Sequence, residues 1–284
     1  MNDVRISMWQ ITVCAALALA LVGCQKPQSA APAAPAATSQ TASATAAEPA
    51  ADGAAIQAAL TNPNRLAGDA DEDGWRKSAE VLTVLGARPG MQVLDYFSAG
   101  GYNTELLSYV VGPQGRVIAY NNPAYLKYSA EKPAQRYGAN RLPNVAQLTT
   151  PTEELPLEPA TLDAALFVLS YHDLHWPPSK DGAWPKVDPA ASLAKLVPAL
   201  KPGAAVVVVD HVALPNDDTD KTVDALHRID PAVVKREFEA AGLQFVSESD
   251  ALRSPADDHT KPVFDKSIQH KTDRFIYKFV KPAA

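Results

Sequence analysis

The 284-residue sequence predicts an α/β domain built on a doubly wound, Rossmann-like sheet that is mainly parallel. Short apolar segments alternate along the chain with segments of helical periodicity, and Gly and Pro residues separate them. Segment 162–169 is apolar at nearly every position, as expected of a strand buried on both faces. Such alternation places parallel strands in one sheet and helices on both of its faces.

Each element is predicted from its own pattern and its own boundary. Apolar runs predict strands at 91–96, 116–120, 145–148, 162–169, 204–209, 243–247 and 274–280. Apolar residues at helical spacing predict helices at 75–85, 104–111, 190–200 and 231–241. Gly86, Gly112 and Gly242 follow three of these helices, and Asp230 with Pro231 forms a cap and first turn for the last.

The amino-terminal segment has the order of a bacterial export signal. Arg5 precedes an apolar run at 11–22 that is too short to span a bilayer as a helix. The run ends in Leu-Val-Gly-Cys at 21–24, which resembles the lipobox of bacterial lipoproteins. The resemblance implies a signal peptide over 1–23, lipidation of Cys24 and, with Gln25 next, sorting to the outer membrane facing the periplasm.

The rest of the chain divides into a tether and one domain. Residues 24–55 are rich in Ala, Pro, Ser and Thr and contain too little bulky apolar surface to fold, so they predict a disordered tether. Residues 56–284 are enough for one core. The formal net charge of −6 argues against nucleic acid as a partner, and nothing in the sequence indicates a protein partner. The expected partners are the membrane, through the lipid anchor, and a small-molecule or envelope ligand.

Polar residues stand where the predicted strands end. Asp95, Asn121, Ser170 and Asp210 each close one of the parallel strands. Ligands of open α/β sheets bind beyond these carboxyl ends, so the site is predicted at this edge.

Residues 93–104 resemble motif I of class I S-adenosylmethionine-dependent methyltransferases. Segments 115–121, 153–156 and 200–204 resemble later parts of the same sheet. More narrowly, the chain is similar to a group of predicted, often secreted, bacterial methyltransferases through five segments, at 171–173, 210–211, 226–230, 257–258 and 271–275. The resemblance covers about 75–282 and implies a seven-stranded sheet whose last strand is antiparallel, with S-adenosylmethionine as cofactor.

The resemblance also implies a set of cofactor-binding residues. These are Asp95, Phe97, Ser98, Ala99, Gly100, Gly101, Asn121 and Ser170. Phe97 and Ala99 stand where the family has glycines, so the phenyl ring is expected to narrow the channel for the methionine moiety. Asn121 replaces the acid that holds the ribose and offers weaker hydrogen bonds.

The predicted catalytic residues follow the fourth and fifth strands, where this class meets its acceptor. They are Tyr171, His172, Asp173 and His211. His172 or His211 could serve as general base, since imidazole titrates near neutral pH. A buried network that only fixes the loops is the alternative. A metal site that adds His227 is less favoured, because no short ligand-pair motif is present, and no metal is predicted.

Three functional hypotheses remain open from the sequence. The first is a methyltransferase acting on a small molecule or an envelope component. The second is an envelope binding module that kept the sheet without turnover, and the third is a metal-assisted site on the same scaffold. The predicted location in the cell envelope conflicts with the methyltransferase hypothesis, because S-adenosylmethionine is not expected to be abundant outside the cytoplasm.

Overall fold

The computed structural model describes residues 50–128, 131–180 and 182–283. The predicted signal peptide 1–23, the lipidation site Cys24 and the tether up to residue 49 lie outside the described residues. Within the described ranges, no helix is both long enough and apolar enough to cross a membrane.

The core of the domain is a seven-stranded sheet with the order β3-β2-β1-β4-β5-β7-β6. Its strands are β1 Gln92–Tyr96, β2 Arg116–Asn121, β3 Val145–Thr149, β4 Leu162–Val168, β5 Leu200–His211, β6 Gln244–Ser249 and β7 Arg274–Val280. Strands β3, β2, β1, β4 and β5 pair in parallel, whereas β7 is antiparallel to both β5 and β6. The predicted mainly parallel sheet with an antiparallel last strand is therefore confirmed.

Helices cover both faces of this sheet. They are α1 Gly53–Leu60, α2 Asp73–Arg76, α3 Ser78–Leu85, α4 Tyr102–Val111, α5 Pro123–Tyr128, α6 Glu131–Tyr137, α7 Pro189–Ala199, α8 Thr219–Leu226 and α9 Pro231–Ala240. Neighbouring residues of β4 face opposite cores: Phe167 packs with Phe238 of α9, and Leu166 belongs to the core that holds Leu107 of α4. Burial on both faces is the reason that β4 is apolar throughout.

Several boundaries differ from the sequence prediction. The predicted helix 75–85 is two helices, because Lys77 adopts a left-handed conformation with φ 51° between them. Helix α1 begins at Gly53, three residues before the predicted start of the domain at 56, with Asp52 capping it. Ile56 of α1 is buried in the core on the α4 side. Helices α5, α6 and α8 have no counterpart in the prediction, because they are short, with eight residues or fewer, and α8 has few apolar residues.

Candidate functional site

A cavity of about 460 Å³ opens at the carboxyl ends of the parallel strands. The described residues that line it come from the loops after β1, β4 and β5, from α5 and from the segment before β7. They are Ala99, Tyr125, Leu169, His172, Asp173, Trp176, Trp184, His211, His227, Val263 and Phe264. A volume of this size suits a small-molecule ligand. Of the predicted catalytic residues, His172, Asp173 and His211 meet here.

The floor of the cavity is a buried chain of polar groups. Asp210, near the end of β5, accepts hydrogen bonds from the His172 backbone N–H at 3.0 Å, from His172 Nδ1 at 2.7 Å and from the His211 N–H at 2.8 Å. His172 Nε2 lies 3.4 Å from Asp173 Oδ1. The histidine is thus held between two carboxylates, with the Asp210 side chain fully buried behind it.

The charges on this chain follow from burial and proximity. Burial alone would lower the pKa of His172, but Asp173 and Asp210 outweigh it and raise that pKa to about 9. Burial raises the pKa of Asp173 to about 6, although the His172 charge works against this. Burial would raise the pKa of Asp210 as well, but His172 holds it below its usual value. At pH 7 the arrangement is carboxylate, imidazolium, carboxylate.

The two other histidines of the cavity are neutral at pH 7. Burial lowers the pKa of His211 to about 3, and its Nδ1 is hydrogen-bonded to Thr272 Oγ1 at 2.8 Å. Burial and the charge of His172 lower the pKa of His227 to about 4. Neither His172 nor His211 therefore has the near-neutral pKa expected from the sequence, and among the described groups that line the cavity Asp173, with a pKa of about 6, is closest to neutrality.

Tyr171 and Ser170 are placed differently from the prediction. The Tyr171 ring packs against Phe167 and Phe238, and its hydroxyl donates to Glu237 at 2.7 Å. The Ser170 hydroxyl donates to the backbone carbonyl of Tyr96 at 3.1 Å and is fully buried. Both side chains serve the core, because Leu169 turns the chain through a left-handed conformation with φ 55° just after β4.

The loop after β1 keeps a glycine-like backbone without the glycines. Phe97 and Ala99 have φ values of 53° and 48°, in the left-handed region that favours glycine. The Phe97 ring is buried and stacks on Tyr125 with ring centroids 4.6 Å apart. Its place in the core provides packing that offsets the backbone strain. Ala99 is the one predicted cofactor residue found among the described cavity lining.

The Asn121 side chain holds this loop through one backbone group and one side chain of the loop. Its Oδ1 accepts from the Ala99 N–H at 2.9 Å, and its Nδ2 donates to Ser98 Oγ at 3.1 Å. The amide predicted to bind a ribose is thus engaged within the protein. Asp95 is similar, since it is buried and accepts from Thr104 Oγ1 at 2.5 Å, and burial raises its pKa to about 7.

Side chains of α6 cover the remaining glycines of the loop. Arg136 Nε donates to the Gly100 carbonyl at 2.6 Å, and a Cβ placed on Gly101 would come within 2.8 Å of Arg136 Cδ and would collide with the Tyr137 hydroxyl. Arg136 is itself fully buried and paired with Asp69 at 2.7 Å. The space that Gly101 leaves free is therefore filled by the protein's own residues.

The aromatic rings that line the cavity form two groups, which we call its walls. In the first wall, the ring centroids of Tyr125 and Trp184 are 6.0 Å apart. In the second wall, the His227 ring centroid is 4.1 Å from that of Trp176 and 4.7 Å from that of Phe264. No signal in the sequence pointed to Tyr125 or Phe264, which come from segments distant in the chain.

The metal alternative concerns His172, Asp173, His211 and His227, which all line the cavity. Within residues 50–128, 131–180 and 182–283, no group of three or more His, Cys, Asp or Glu side chains is arranged to hold a metal ion.

Comparisons with known proteins extend the assignment of the fold. The chain matches no protein-family model and no curated protein. A crystal structure of a SAM-dependent methyltransferase from Aquifex aeolicus is similar over 81% of this chain and 98% of its own, with 19% identity and a TM-score of 0.52. The domain has a Rossmann-like methyltransferase fold. The [4+2]-cyclase SpnF is similar over 79% of this chain and 86% of its own, with 16% identity and a TM-score of 0.55. One fold thus carries different reactions, and the site must decide the function.

Proposed function

We propose that the domain is a methyltransferase that uses S-adenosylmethionine to methylate a small acceptor held in the cavity above His172. The observation that carries the proposal is the carboxylate–imidazolium–carboxylate chain of Asp210, His172 and Asp173. This chain lies at the carboxyl ends of β4 and β5 and opens on a cavity that reaches the β1 loop at Ala99. In open α/β sheets this edge is where ligands bind.

The residues around the cavity fit such a cofactor at one end. Ala99 lines the cavity, Ser98 and Gly100 are partly exposed beside it, and the carboxylate of Asp173 complements a positively charged sulfonium. We expect the loop 98–100 to hold the cofactor. At Gly101 the fit requires the Tyr137 side chain to move. When bound, S-adenosylmethionine would supply an electrophilic methyl group.

The chain's own residues would orient the acceptor and handle its proton. Asp173 is ionised at pH 7 and faces the cavity, so we propose that it accepts a proton from the acceptor. His172 keeps its charge and fixes the Asp173 carboxylate, and Asp210 fixes His172 in turn. The aromatic walls would hold the two reactants in place, so their alignment would supply much of the acceleration.

Calorimetric titration of the full-length protein with S-adenosylmethionine and S-adenosylhomocysteine tests the cofactor. We expect a dissociation constant below about 100 µM, which corresponds to about −5.5 kcal/mol. Asp173→Asn is expected to leave the affinity for S-adenosylhomocysteine, which has no sulfonium charge, unchanged, and to reduce S-adenosylhomocysteine formation in the presence of envelope extract by about 10²-fold or more. Absence of binding by both molecules to folded protein would overturn the proposal.

Removal of the Tyr137 side chain is expected to strengthen cofactor binding. Tyr137→Ala opens the face of Gly101, so the fraction of molecules able to accept the cofactor rises, and the apparent dissociation constant is expected to fall about tenfold. Tyr109→Ala on α4 is the matched control, because it deletes the same side chain away from Gly101. Equal affinity in wild type and Tyr137→Ala would show that the side chain does not compete with the cofactor.

The covered Gly101 also favours a second candidate, an envelope binding module without methyl transfer. In that case the α6 side chains fill the cofactor space permanently, and the cavity alone binds the ligand. Failure of Tyr137→Ala to bind either cofactor molecule, together with a ligand in the cavity, would favour this candidate.

For the address, we propose a lipid anchor at Cys24 that tethers the domain to the cell envelope, at the outer membrane facing the periplasm. The support is the sequence at 21–24 and the tether that follows. Metabolic labelling with a fatty acid tests it, since Cys24→Ser should abolish the label.

A further inference from the structure

We propose that the cavity above His172 binds a small organic cation, an alkylammonium group, between its two aromatic walls and the Asp173 carboxylate. As a ligand class, this rests on the cavity alone. As the class of the methyl acceptor, it rests on the proposed methyl transfer and means an amine whose ammonium form first gives a proton to Asp173. The freed lone pair on nitrogen would then take the methyl group, and S-adenosylhomocysteine would leave. The argument uses the walls, the floor and the mouth of the cavity.

The walls have the composition that recognises quaternary and protonated amines. Tyr125 and Trp184 form one wall, and Trp176 with Phe264 forms the other around His227. Aromatic rings attract cations through the negative face of the ring, and tryptophan is the best of them. A ligand cation that enters between the two walls would have rings on both sides.

The floor of the cavity, formed by Asp210, His172 and Asp173, contacts both walls and carries the Asp173 carboxylate. The Asp173 carboxylate interacts with the Tyr125 hydroxyl, which joins it to the first wall. His172 lies with its ring centroid 5.7 Å from that of His227, which joins it to the second wall. Asp173 therefore lies between the walls, with a 13% exposed side chain that a ligand can reach.

The charge of the floor favours a cation over an anion or a neutral ligand. With Asp173 and Asp210 ionised, His172 protonated, and His211 and His227 neutral, the five groups sum to −1 at pH 7. The charges of Arg228 and Arg274 act on His211 but are not among the causes that shift the pKa of Asp173, and Asp257 pairs with Arg228 at 2.8 Å. A charged ligand head would complete the neutralisation of the site.

The mouth indicates a ligand with some apolar bulk. Phe264 is 63% exposed although it lines the cavity, and Val263 adjoins it. A methylated ammonium head with a short aliphatic tail would cover this ring on binding. The same contact would reduce the exposed apolar surface of the protein.

An isosteric pair of probes tests the charge preference. Choline and 3,3-dimethylbutan-1-ol have nearly the same shape and differ by one positive charge, and both are titrated by calorimetry into the full-length protein at pH 7.5. Choline is expected to bind with a dissociation constant at least about tenfold lower, equivalent to about 1.4 kcal/mol. Equal binding of the two, or tighter binding of the alcohol, would overturn the proposal.

Variants locate the preference at Asp173 and the walls. Asp173→Asn is expected to bring the choline-to-alcohol ratio close to one, whereas Asp71→Asn, the same change at an exposed residue, should leave it unchanged. Trp176→Leu is expected to weaken choline binding more than alcohol binding. An unchanged ratio in Asp173→Asn would overturn the assignment, and the wild-type comparison decides the matter if this variant does not fold.

Competition with the cofactor separates an acceptor from a sulfonium, the other cation that could occupy the walls. If the walls hold the acceptor, choline should still bind in the presence of either S-adenosylmethionine or S-adenosylhomocysteine. Displacement of choline by S-adenosylmethionine alone would assign the walls to the sulfonium and overturn the acceptor class. Choline binding without any cofactor binding would leave the cation site standing and reject the proposed methyl transfer.

Discussion

Replacing Asp210 by alanine is expected to lower the free energy of unfolding by about 3 kcal/mol or more. The carboxylate is fully buried and accepts three hydrogen bonds that join β5 to the turn after β4. Without it, two backbone N–H groups and the charged His172 lose their partner in a site that water does not reach. Urea denaturation measures the change as a shift of the midpoint.

The control for this experiment separates burial from charge. Asp224→Ala removes an exposed aspartate of α8 and is expected to change stability by less than about 0.5 kcal/mol. Asp210→Asn keeps the shape but removes the charge, so the pKa of His172 should fall from about 9, as followed by NMR of the imidazole C–H. A stability loss in Asp210→Ala no larger than that of the control would contradict the role assigned to Asp210.

The second large effect is the loss of stability in acid that His211 imposes. Burial keeps the pKa of His211 at about 3 in the folded protein, against 6.5 in the unfolded chain. Between these two pH values the unfolded chain therefore binds a proton at His211 and the folded protein does not. The contribution is fully present above pH 6.5 and is lost as the pH falls toward 3. A shift of this size corresponds to roughly 5 kcal/mol. The groups acting on His211 are Asp210, which opposes the shift, and His172, Arg274 and Arg228, which support it.

The measurement is the slope of unfolding free energy against pH between 6.5 and 4.5. His211→Gln is expected to flatten this slope, because glutamine does not titrate, and the comparison of slopes is independent of any constant loss of stability. His270→Gln is the matched control, since His270 is exposed. An equal slope in wild type and His211→Gln would show that His211 takes up its proton in the folded protein as readily as in the unfolded one.

The sheet could be predicted because the buried strands are apolar in sequence. The apolar run that became β4 lies in the centre of the sheet, and Arg274–Val280 forms an antiparallel strand as expected. Boundaries were less secure where the conformation of one residue decides them. Lys77 splits the helix predicted over 75–85, and a lysine side chain does not indicate a left-handed backbone conformation.

The location of the site could be predicted from the sequence, but the orientation of its side chains could not. The carboxyl ends of β4 and β5 had to meet, which brought His172 and His211 close to Asp210. After the left-handed turn at Leu169, His172 faces the cavity and Tyr171 the core, and no pattern in the sequence indicates this turn. Tyr137 covers Gly101 although the two residues are 36 positions apart in sequence, and no local sequence pattern predicts this contact. Protonation states followed from burial, which only the folded chain defines.

The position of β7 between β5 and β6 has a consequence for the order in which the sheet can form. Among the strands that the structure describes, β6 is joined to the rest of the sheet only through β7, which follows it in sequence. Until β7 is in place, β5 and β6 have no common partner, and both present open edges. A chain in which β7 is not yet paired is therefore prone to aggregate through these edges.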